Sequence, residues 1–349
     1  MNTSSKATGP GDGDAGRDAD ALARVDTDAF TALHAERGAY MVLDQFSVID
    51  VHGDDAASFL HGQLTNDIQT LEAGSVRLAG FCSPKGRLLA TLLVWRAGDA
   101  VRMLVSADLA APLQKRLSMF VLRAKARLTN TTDDLAVVGF AGDVRAALSQ
   151  CFEALPDGVH VKIDTACGEL IRVPDANGVP RFLWVGPRAA VEAKLAALDT
   201  THRARRADSA LWDWLDIRAG EPRVNAATSE QFVPQMINFE LVGGVNFRKG
   251  CYPGQEVVAR SQYRGTIKRR TVLAHATQAH AGVEVFHSED PGQPCGMVVN
   301  AAAAPEGGVD CLVQLKLGAL DIGSVHVGSP HGPTLAFLPL PYPLPAQMP

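Results

Sequence analysis

A single cysteine stands among cations in the run from Arg248 to Glu256, which reads RKGCYPGQE. A cysteine acts as a nucleophile or a metal ligand only as the thiolate, and nearby Lys or Arg side chains favour that form. We therefore interpret Cys251 as a reactive thiol. The alternative is a small buried hydrophobic side chain, as most free cysteines are. The loop residues that would support the thiol are Lys249, Gly250, Tyr252, Gly254, Gln255, Glu256 and Arg260.

The residues around Cys251 predict a turn that leads into a short helix. Gly250 removes side-chain bulk, and Pro253 suits a first helical position. Residues 255–259 can form one or two helical turns with an acid near the start. We expect loop geometry to depend on Gly250 and Gly254, charge stabilisation on Lys249 and Arg260, and loop hydrogen bonds on Gln255 and Glu256.

The composition indicates a globular protein of two or three domains. The chain has 349 residues, of which 46% are hydrophobic and 20% charged, and its formal net charge is -5. That charge gives no general attraction to nucleic acid, so any RNA contact must be a local patch. No apolar run approaches the length that a bilayer requires, and we expect no membrane association.

Six cysteines are scattered along the chain without a Cys-x-x-Cys pair or a secretory leader. This pattern favours a reducing compartment, and the acidic N-terminal residues argue against a mitochondrial presequence, so we expect a cytoplasmic location. The scatter also argues against a self-contained zinc or iron–sulfur site, because such sites take several ligands from close spacings. If Cys251 binds a metal, the other ligands must come from afar or from a partner.

Helix and strand patterns alternate through the first two thirds of the chain, which predicts an α+β fold. Residues 88–105 predict a β-hairpin with a largely buried first strand. Helical spacing predicts helices over residues 110–122 and 209–218, the second with Ser209 as its N-cap. Beyond residue 270 short apolar runs alternate with Gly and Pro, which predicts a small β-barrel or sandwich.

Four regions follow from these patterns. Residues 1–25 contain almost no large apolar side chain and predict a disordered tail. Residues 26–260 predict two interleaved α+β subdomains that form the core. Residues 261–338 predict the β-barrel-like domain, and residues 339–349 form a proline-rich tail.

The most basic stretch of the chain follows the Cys251 loop and ends at Arg270. We predict an anion-binding role for Arg264, Lys268 and Arg269, which could hold a polyglutamate tail, a phosphate or an RNA backbone. A solvated strand edge that is kept from aggregating by its charge explains the stretch equally well. A separate polar cluster at residues 61–67 either caps a helix end or lines a pocket.

Five sequence blocks occur in a fixed order and resemble those of a known family. They are HGQLTND at 61–67, CSPKGR at 82–87, QFVPQ at 231–235, KGCYPGQE at 249–256, and YRG through KR at 263–269. These blocks resemble the YgfZ family, called folate-binding or tRNA-modifying YgfZ proteins in bacteria. The resemblance covers most of the chain from about Tyr40 onward.

The resemblance implies the three-domain fold of the glycine-cleavage T-protein, an aminomethyltransferase whose central cavity holds tetrahydrofolate. It also implies a role in making or repairing iron–sulfur enzymes, among them tRNA methylthiolases, for which the motif cysteine is needed. Tetrahydrofolate or a derivative is the expected cofactor, and Cys251 is the expected ligand of a transient iron–sulfur cluster shared with a partner. The side chains proposed for pterin contacts are Gln235, Asn238, Glu240, Asn66 and Asp67.

One departure from the T-protein bears on the activity. After Gly86 the chain reads Arg87-Leu88-Leu89, where that relative has carboxylates that hold the reacting folate. Leucine cannot accept a proton or orient an amine, so aminomethyl transfer is not expected. The leading hypothesis is a folate-binding accessory protein whose partners are iron–sulfur assembly or client proteins. The alternatives are a one-carbon transferase with relocated acids and a tRNA-binding module built on the basic stretch.

Overall fold

The structure of the protein is a computed structural model that describes Phe30, Thr31, Leu33 and residues 38–263 and 267–345. The tail predicted for residues 1–25 and the predicted anion ligand Arg264 lie outside the described residues. No helix in the described ranges combines the length and apolar character needed to cross a membrane.

Strands make up most of the regular structure, and helices connect them. The strands of the described residues are β1 (Ala39–Val42), β2 (Phe46–His52), β3 (Val76–Cys82), β4 (Leu88–Ala97), β5 (Ala100–Ser106), β6 (Arg127–Asn130), β7 (Leu135–Ala141), β8 (Lys162–Thr165), β9 (Gly168–Ala176), β10 (Val179–Pro187), β11 (Arg205–Ala207), β12 (Arg269–Ala276), β13 (Glu284–His287), β14 (Asp290–Ala303), β15 (Val309–Lys316), β16 (Val325–Val327) and β17 (Ala336–Leu338). The α-helices are α1 (Ala56–His61), α2 (Ala107–Ser118), α3 (Arg145–Leu148), α4 (Arg188–Thr201), α5 (Ser209–Arg218) and α6 (Gln255–Tyr263), with 3-10 turns at Pro234–Ile237 and Leu317–Leu320.

The strands form three sheets. The first sheet has the order β3-β4-β5-β2-β6, and the second has the order β11-β1-β7-β10-β9-β8. All pairs in these two sheets are antiparallel except β1 with β11. The C-terminal sheet has the order β16-β13-β14-β15-β12-β17. Mixed helices and antiparallel sheets confirm the predicted α+β class.

The predicted hairpin is confirmed by β4 and β5. Ala97 pairs with Ala100, and Gly98 takes a positive φ of 60° at the turn between them. Most side chains of β4 are buried, because this strand lies inside the first sheet and reads as a continuous apolar run. The strand anchors one wall of the cavity described below.

Two helix boundaries differ from their predictions. Helix α2 covers Ala107–Ser118, so the apolar residues that were predicted to extend it to residue 122 lie beyond its end. Helix α5 begins as predicted, but its N-cap is Asp208, whose side chain accepts a hydrogen bond from the Ala210 amide; Ser209 is the first helical residue. An N-cap carboxylate satisfies an otherwise unpaired amide at the helix start.

The C-terminal sheet curls into half of a barrel, as predicted for this part of the chain. Register shifts occur where β13 pairs with β14 and where β14 pairs with β15. Such irregularities bend a strand and increase its twist. The chain after β17 returns to the core, because the Tyr342 hydroxyl donates a 2.8 Å hydrogen bond to the Gly220 carbonyl.

Candidate functional site

Residues 248–254, the Cys251 loop, lead into helix α6 and present the thiol of Cys251 to solvent. All six cysteines lie in the described residues, and Cys251 alone among them is exposed. Burial raises the pKa of Cys82 and of Cys311 to about 12, so neither forms thiolate near neutral pH. Accessible thiol chemistry is therefore concentrated at Cys251.

Lys249 anchors the Cys251 loop to the end of α1 through its buried side chain. Its ammonium donates to the carbonyls of His61 and Leu64, the latter at 2.9 Å, and lies 4.9 Å from the Tyr252 ring centre. Burial lowers the pKa of Lys249 to about 8, against the opposing attraction of Asp67 and Cys251. A buried cation thus ties the end of α1 to the Cys251 loop.

His61 and Asp67 form a pair beside the same loop. The two side chains are joined by a 3.0 Å hydrogen bond between His61 Nδ1 and Asp67 Oδ1. A Cβ atom on Gly250 would lie 3.4 Å from His61 Nε2, so this ring nitrogen faces the loop that carries the thiol. Burial alone would raise the pKa of Asp67, but hydrogen bonds from Thr70 and the neighbouring His61 hold it below its usual value.

Two glycines bring the turn at residues 83–87 against the loop. Gly254 has a φ of 80°, and a Cβ there would collide with Ser83 O and lie 2.7 Å from Gly86 Cα. Gly86 has a φ of 71°, and its Cβ would lie 2.9 Å from the Cβ of Val257. Both positions need glycine for backbone conformation and for close approach. Two of the sequence blocks therefore meet at this site.

Helix α6 begins at Gln255, and Pro253 lies in the preceding turn instead of at the predicted first helical position. Gln255 Nε2 donates to Lys249 O at 3.5 Å, which closes the loop as predicted. Glu256 instead accepts a 2.7 Å hydrogen bond from Arg260, in an exposed pair one helical turn apart. The charge of Arg260, which was predicted to stabilise the thiolate, is therefore paired with Glu256 on the surface of α6.

The side chains proposed for pterin contacts are engaged inside the protein. Gln235 donates to Val258 O at 2.8 Å, and Asn238 donates to Thr271 O at 2.8 Å. Glu240 forms a buried ion pair with Arg270. Asn66 donates to the carbonyls of Leu78 and Gly243, both at 2.8 Å. With Asp67 bound to His61, these polar groups are engaged in contacts within the protein.

A separate cavity of about 80 Å³ lies among the first sheet, the second sheet and α5. Its walls are mostly apolar, but Asp216, Glu221 and Arg223 also line it. Arg181 is fully buried and pairs with both carboxylates, at 2.6 Å to Asp216 and 2.9 Å to Glu221. Burial raises the pKa of Glu221 to about 7 in spite of the Arg181 charge.

No specific role was predicted for the three charged residues of this cavity, although the segment that begins at Glu221 is polar and turn-rich, as loops that line a site often are. Arg223 Nη1 is buried without a hydrogen-bond partner, and the Asp216 Oδ2 atom lies 3.9 Å from it. The sequence does show a concentration of charged residues at this point. Asp216 stands near the end of the otherwise apolar, Trp-rich helix α5, and Glu221 and Arg223 follow Gly220. His61 belongs to the polar cluster at residues 61–67, for which helix capping or pocket lining was predicted, but no role toward the thiol was predicted for it.

The basic stretch is divided between surface and core. Lys268 is exposed, Arg269 donates to Cys295 O at 3.3 Å, and Arg270 is buried against Glu240. Only part of this charge is therefore presented to solvent. Within the described ranges, no three His, Cys, Asp or Glu side chains converge in an arrangement that could hold a metal ion.

Comparison with known proteins places this geometry in a fold class. A family model described as the GCVT N-terminal domain matches residues 32–157. The solved structure of the glycine cleavage system aminomethyltransferase T from Bartonella henselae superposes with a TM-score of 0.73 at 16% identity, covering 89% of this chain and 87% of that one. The protein therefore has the three-domain T-protein fold.

Curated relatives define the family more closely. The "tRNA-modifying protein YgfZ" of Serratia proteamaculans is 34% identical over 311 residues, which cover 86% of this chain and 92% of the relative. The protein of the same name from Edwardsiella ictaluri is 32% identical over 307 residues, with the same coverage of both chains. The chain belongs to the YgfZ family.

Proposed function

We propose that this protein is a folate-binding accessory factor that supports the assembly or repair of iron–sulfur enzymes through Cys251. The observation that carries the proposal is the exposed thiol on a loop that buried Lys249 anchors and that His61 Nε2 faces at Gly250. Cysteine ligates iron as the thiolate, and a nearby cation is a feature that favours this form. The name of the curated relatives supports a connection with tRNA modification.

The chemistry proposed for Cys251 is ligation of iron in a cluster that is in transit. The S–H bond breaks, His61 Nε2 accepts the proton, and the sulfur donates its electron pair to iron. The Lys249 ammonium stabilises the negative charge of the thiolate. The remaining ligands of the cluster come from a partner protein, because one thiol supplies only one of the several ligands that a cluster needs.

The folate site is proposed at the cavity between the first two sheets. The pyrimidine edge of a pterin presents adjacent N–H donors beside a carbonyl, which complements carboxylate acceptors such as Asp216 and Glu221 and the free donor of Arg223. A cavity of about 80 Å³ is smaller than typical ligand pockets of roughly 300–1,000 Å³, so its walls must move to admit a pterin. Bound tetrahydrofolate would supply a reducing pterin ring.

The connection with tRNA is proposed to be indirect, through iron–sulfur enzymes such as tRNA methylthiolases. The buried state of Arg270 and the net charge of -5 favour this route over a dedicated RNA-binding surface. Such client enzymes work where tRNA is modified, which supports a cytoplasmic location. A T-protein reaction is not proposed, because Leu88 and Leu89 begin β4 where that mechanism needs carboxylates.

The test is the activity of an iron–sulfur tRNA methylthiolase in cells that lack this protein. The cells are complemented with the parent chain, with Cys251→Ala or with Cys167→Ala as a matched thiol control, all at equal abundance. We expect the parent and the Cys167 variant to restore methylthiolation and Cys251→Ala to fail while still folding and binding tetrahydrofolate. Full restoration by Cys251→Ala would remove the thiol from the proposed function.

A further inference from the structure

We propose that the turn after α2 is the docking surface for an acidic client protein. This docking turn consists of the apolar residues Met119, Phe120 and Leu122 and the flanking cations Lys115, Arg116, Arg123 and Lys125. The proposal rests on the proposed function, because it names the surface through which a client enzyme reaches Cys251.

The apolar side chains of the docking turn are unusually exposed. Met119 is 62% exposed, Phe120 is 45% exposed and Leu122 is 91% exposed, whereas Leu117 on the preceding helical turn is fully buried. Three large hydrophobic side chains are therefore exposed within four consecutive residues. Patches of this kind mark interaction sites more often than isolated apolar residues do.

Hydrogen bonds hold the backbone of the docking turn in place. The Phe120 amide donates to Leu117 O at 2.9 Å, continuing the end of α2. The Lys125 amide donates to Asp55 Oδ2 at 2.7 Å, and the Asp55 amide donates back to Lys125 O at 3.2 Å. The apolar side chains are therefore presented from a fixed backbone, which reduces the ordering entropy lost when a partner binds.

The sequence segment that carries the patch is positively charged in a chain whose net charge is -5. Residues 109–132 contain no Asp or Glu but include the cations Lys115, Arg116, Arg123, Lys125 and Arg127. The side chains of Asp54 and Lys125 approach to 3.4 Å, and both are exposed. Complementary charge accelerates association and selects an acidic partner, and it disfavours a second copy of this chain at the same surface.

Two features favour a protein over an RNA or a lipid surface. Of the three apolar side chains only Phe120 offers a flat ring for base stacking, and none offers the hydrogen bonds to a base that RNA recognition uses. Helix α1 connects the docking turn with the thiol loop: Asp55 holds the turn at one end of this helix of about 9 Å, and His61 at the other end faces Gly250. A protein seated on the turn that extends along α1 would reach Cys251.

The size of a stable interface extends the proposed contact beyond the turn. Specific interfaces bury about 800 Å² on each partner, which three side chains alone do not provide. The contact must continue along α1 toward the Cys251 loop. Helix α6, which follows that loop, also carries an exposed aromatic side chain, Tyr263.

The experiment measures binding of the purified chain to an iron–sulfur tRNA methylthiolase at several salt concentrations. The variants are Met119→Ser with Leu122→Ser, and Arg116→Glu with Arg123→Glu. Ile322→Ser is the control, because Ile322 is 66% exposed but lies in the C-terminal region. We expect a loss of affinity of about tenfold or more for both docking variants and less than about twofold for the control.

Each other result overturns the docking proposal. Equal affinity of the docking variants and the parent chain, or the absence of parent binding, excludes a client site at this turn. Loss of binding to tRNA or to anionic vesicles, with methylthiolase binding unchanged, assigns the surface to those occupants instead. Urea unfolding and Cys251 alkylation of each variant verify that the fold and the thiol loop are intact.

Complementation separates this proposal from the proposed function. If the docking variants restore methylthiolation and bind normally while Cys251→Ala fails, the docking surface is wrong and the thiol role stands. If Cys251→Ala restores methylthiolation while the docking variants lose binding, the docking surface stands without the thiol role.

Discussion

The imidazole of His61 is held by Asp67 through a 3.0 Å hydrogen bond, with its other nitrogen turned toward the loop of Cys251. A carboxylate on Nδ1 fixes the tautomer in which Nε2 is free to accept a proton. The arrangement resembles a nucleophile, a base and an orienting acid, although Cys251 lies far from His61 and Asp67 in the sequence.

Replacing His61 by Gln should slow alkylation of Cys251 by iodoacetamide at pH 7.5 by about tenfold, because the proton acceptor is lost. Asp67→Asn should act in the same direction, since the imidazole loses its orienting partner. Mass spectrometry of the modified peptide measures the rate at this thiol alone. His52→Gln, at a half-exposed histidine elsewhere in the fold, should leave the rate unchanged. Equal alkylation rates in all variants would show that His61 does not act as the proton acceptor for Cys251.

Lys249→Met should destabilise the protein by about 1–3 kcal/mol, because the carbonyls of His61 and Leu64 lose their buried donor. The effect should depend on pH. The pKa of Lys249 is lowered by burial to about 8 from 10.5, so between these values the unfolded chain binds the extra proton. The parent therefore gains stability from this group as pH rises from 8 to 10.5.

Urea unfolding of the parent and Lys249→Met at pH 7.5 and pH 9.5 measures that contribution. The difference between the two proteins should widen at the higher pH. A difference that stays constant over this interval would show that the Lys249 ammonium is not desolvated in the folded protein.

Gly254→Ala should cost about 2–4 kcal/mol, since the new Cβ adds a clash with the backbone at Ser83 and Gly86 to the strain of a positive φ. Gly98→Ala is the matched control: its φ is 60°, but a Cβ there meets nothing within 4 Å. The control should cost only about 1 kcal/mol. Urea midpoints compare the stability of the two variants. Equal losses of stability would mean that the turn at 83–87 can shift to accommodate the new Cβ at little cost.

Arg270→Gln should destabilise the protein by about 3–5 kcal/mol, because it leaves the buried carboxylate of Glu240 without its cation. Lys268→Gln, at an exposed position of the same basic stretch, should change stability by less than about 0.5 kcal/mol. Thermal or urea unfolding checks both values. A small loss for Arg270→Gln would place this ion pair in a more hydrated environment than the structure indicates.

Tetrahydrofolate should bind more tightly as pH rises from 6 to 8. Burial raises the pKa of Glu221 to about 7, and the pterin N–H donors require its ionised form, so affinity follows deprotonation of this carboxyl group. Glu221→Gln should bind more weakly and with little pH dependence. Calorimetry measures the tetrahydrofolate affinity of the two proteins across this pH range. Parallel pH profiles would show that the pterin does not bind at Glu221.

The sequence predicted those parts of the fold in which local pattern and burial agree. The apolar run at residues 88–95, followed by Gly98, predicted the β4–β5 hairpin because its side chains need burial on both sides. The end of α2 was misplaced, because Phe120 and Leu122 continue an apolar pattern but remain exposed. Periodicity records which side chains are apolar, whereas burial depends on what the rest of the chain places against them.

The thiol loop could be recognised because its residues are contiguous in the sequence. The cavity could not, since Arg181 on β10 reaches Asp216 at the end of α5 and Glu221 beyond it only after the sheets have packed. The amides Gln235 and Asn238 were assigned to a ligand because polar side chains near a motif often line a site. Their hydrogen bonds to Val258 and Thr271 show that buried backbone also requires such groups.

The position of β1 constrains how the protein can be synthesised. This strand lies between β7 and β11, so both of its neighbours are translated after it, and the second arrives only with Arg205. A nascent chain therefore carries an apolar strand with two unpaired edges until β7 is made and with one until β11 is made, which is a liability for aggregation. A fragment that stops at residue 157 would retain one open edge of β1 permanently, and the second sheet closes only after the ribosome has passed Ala207.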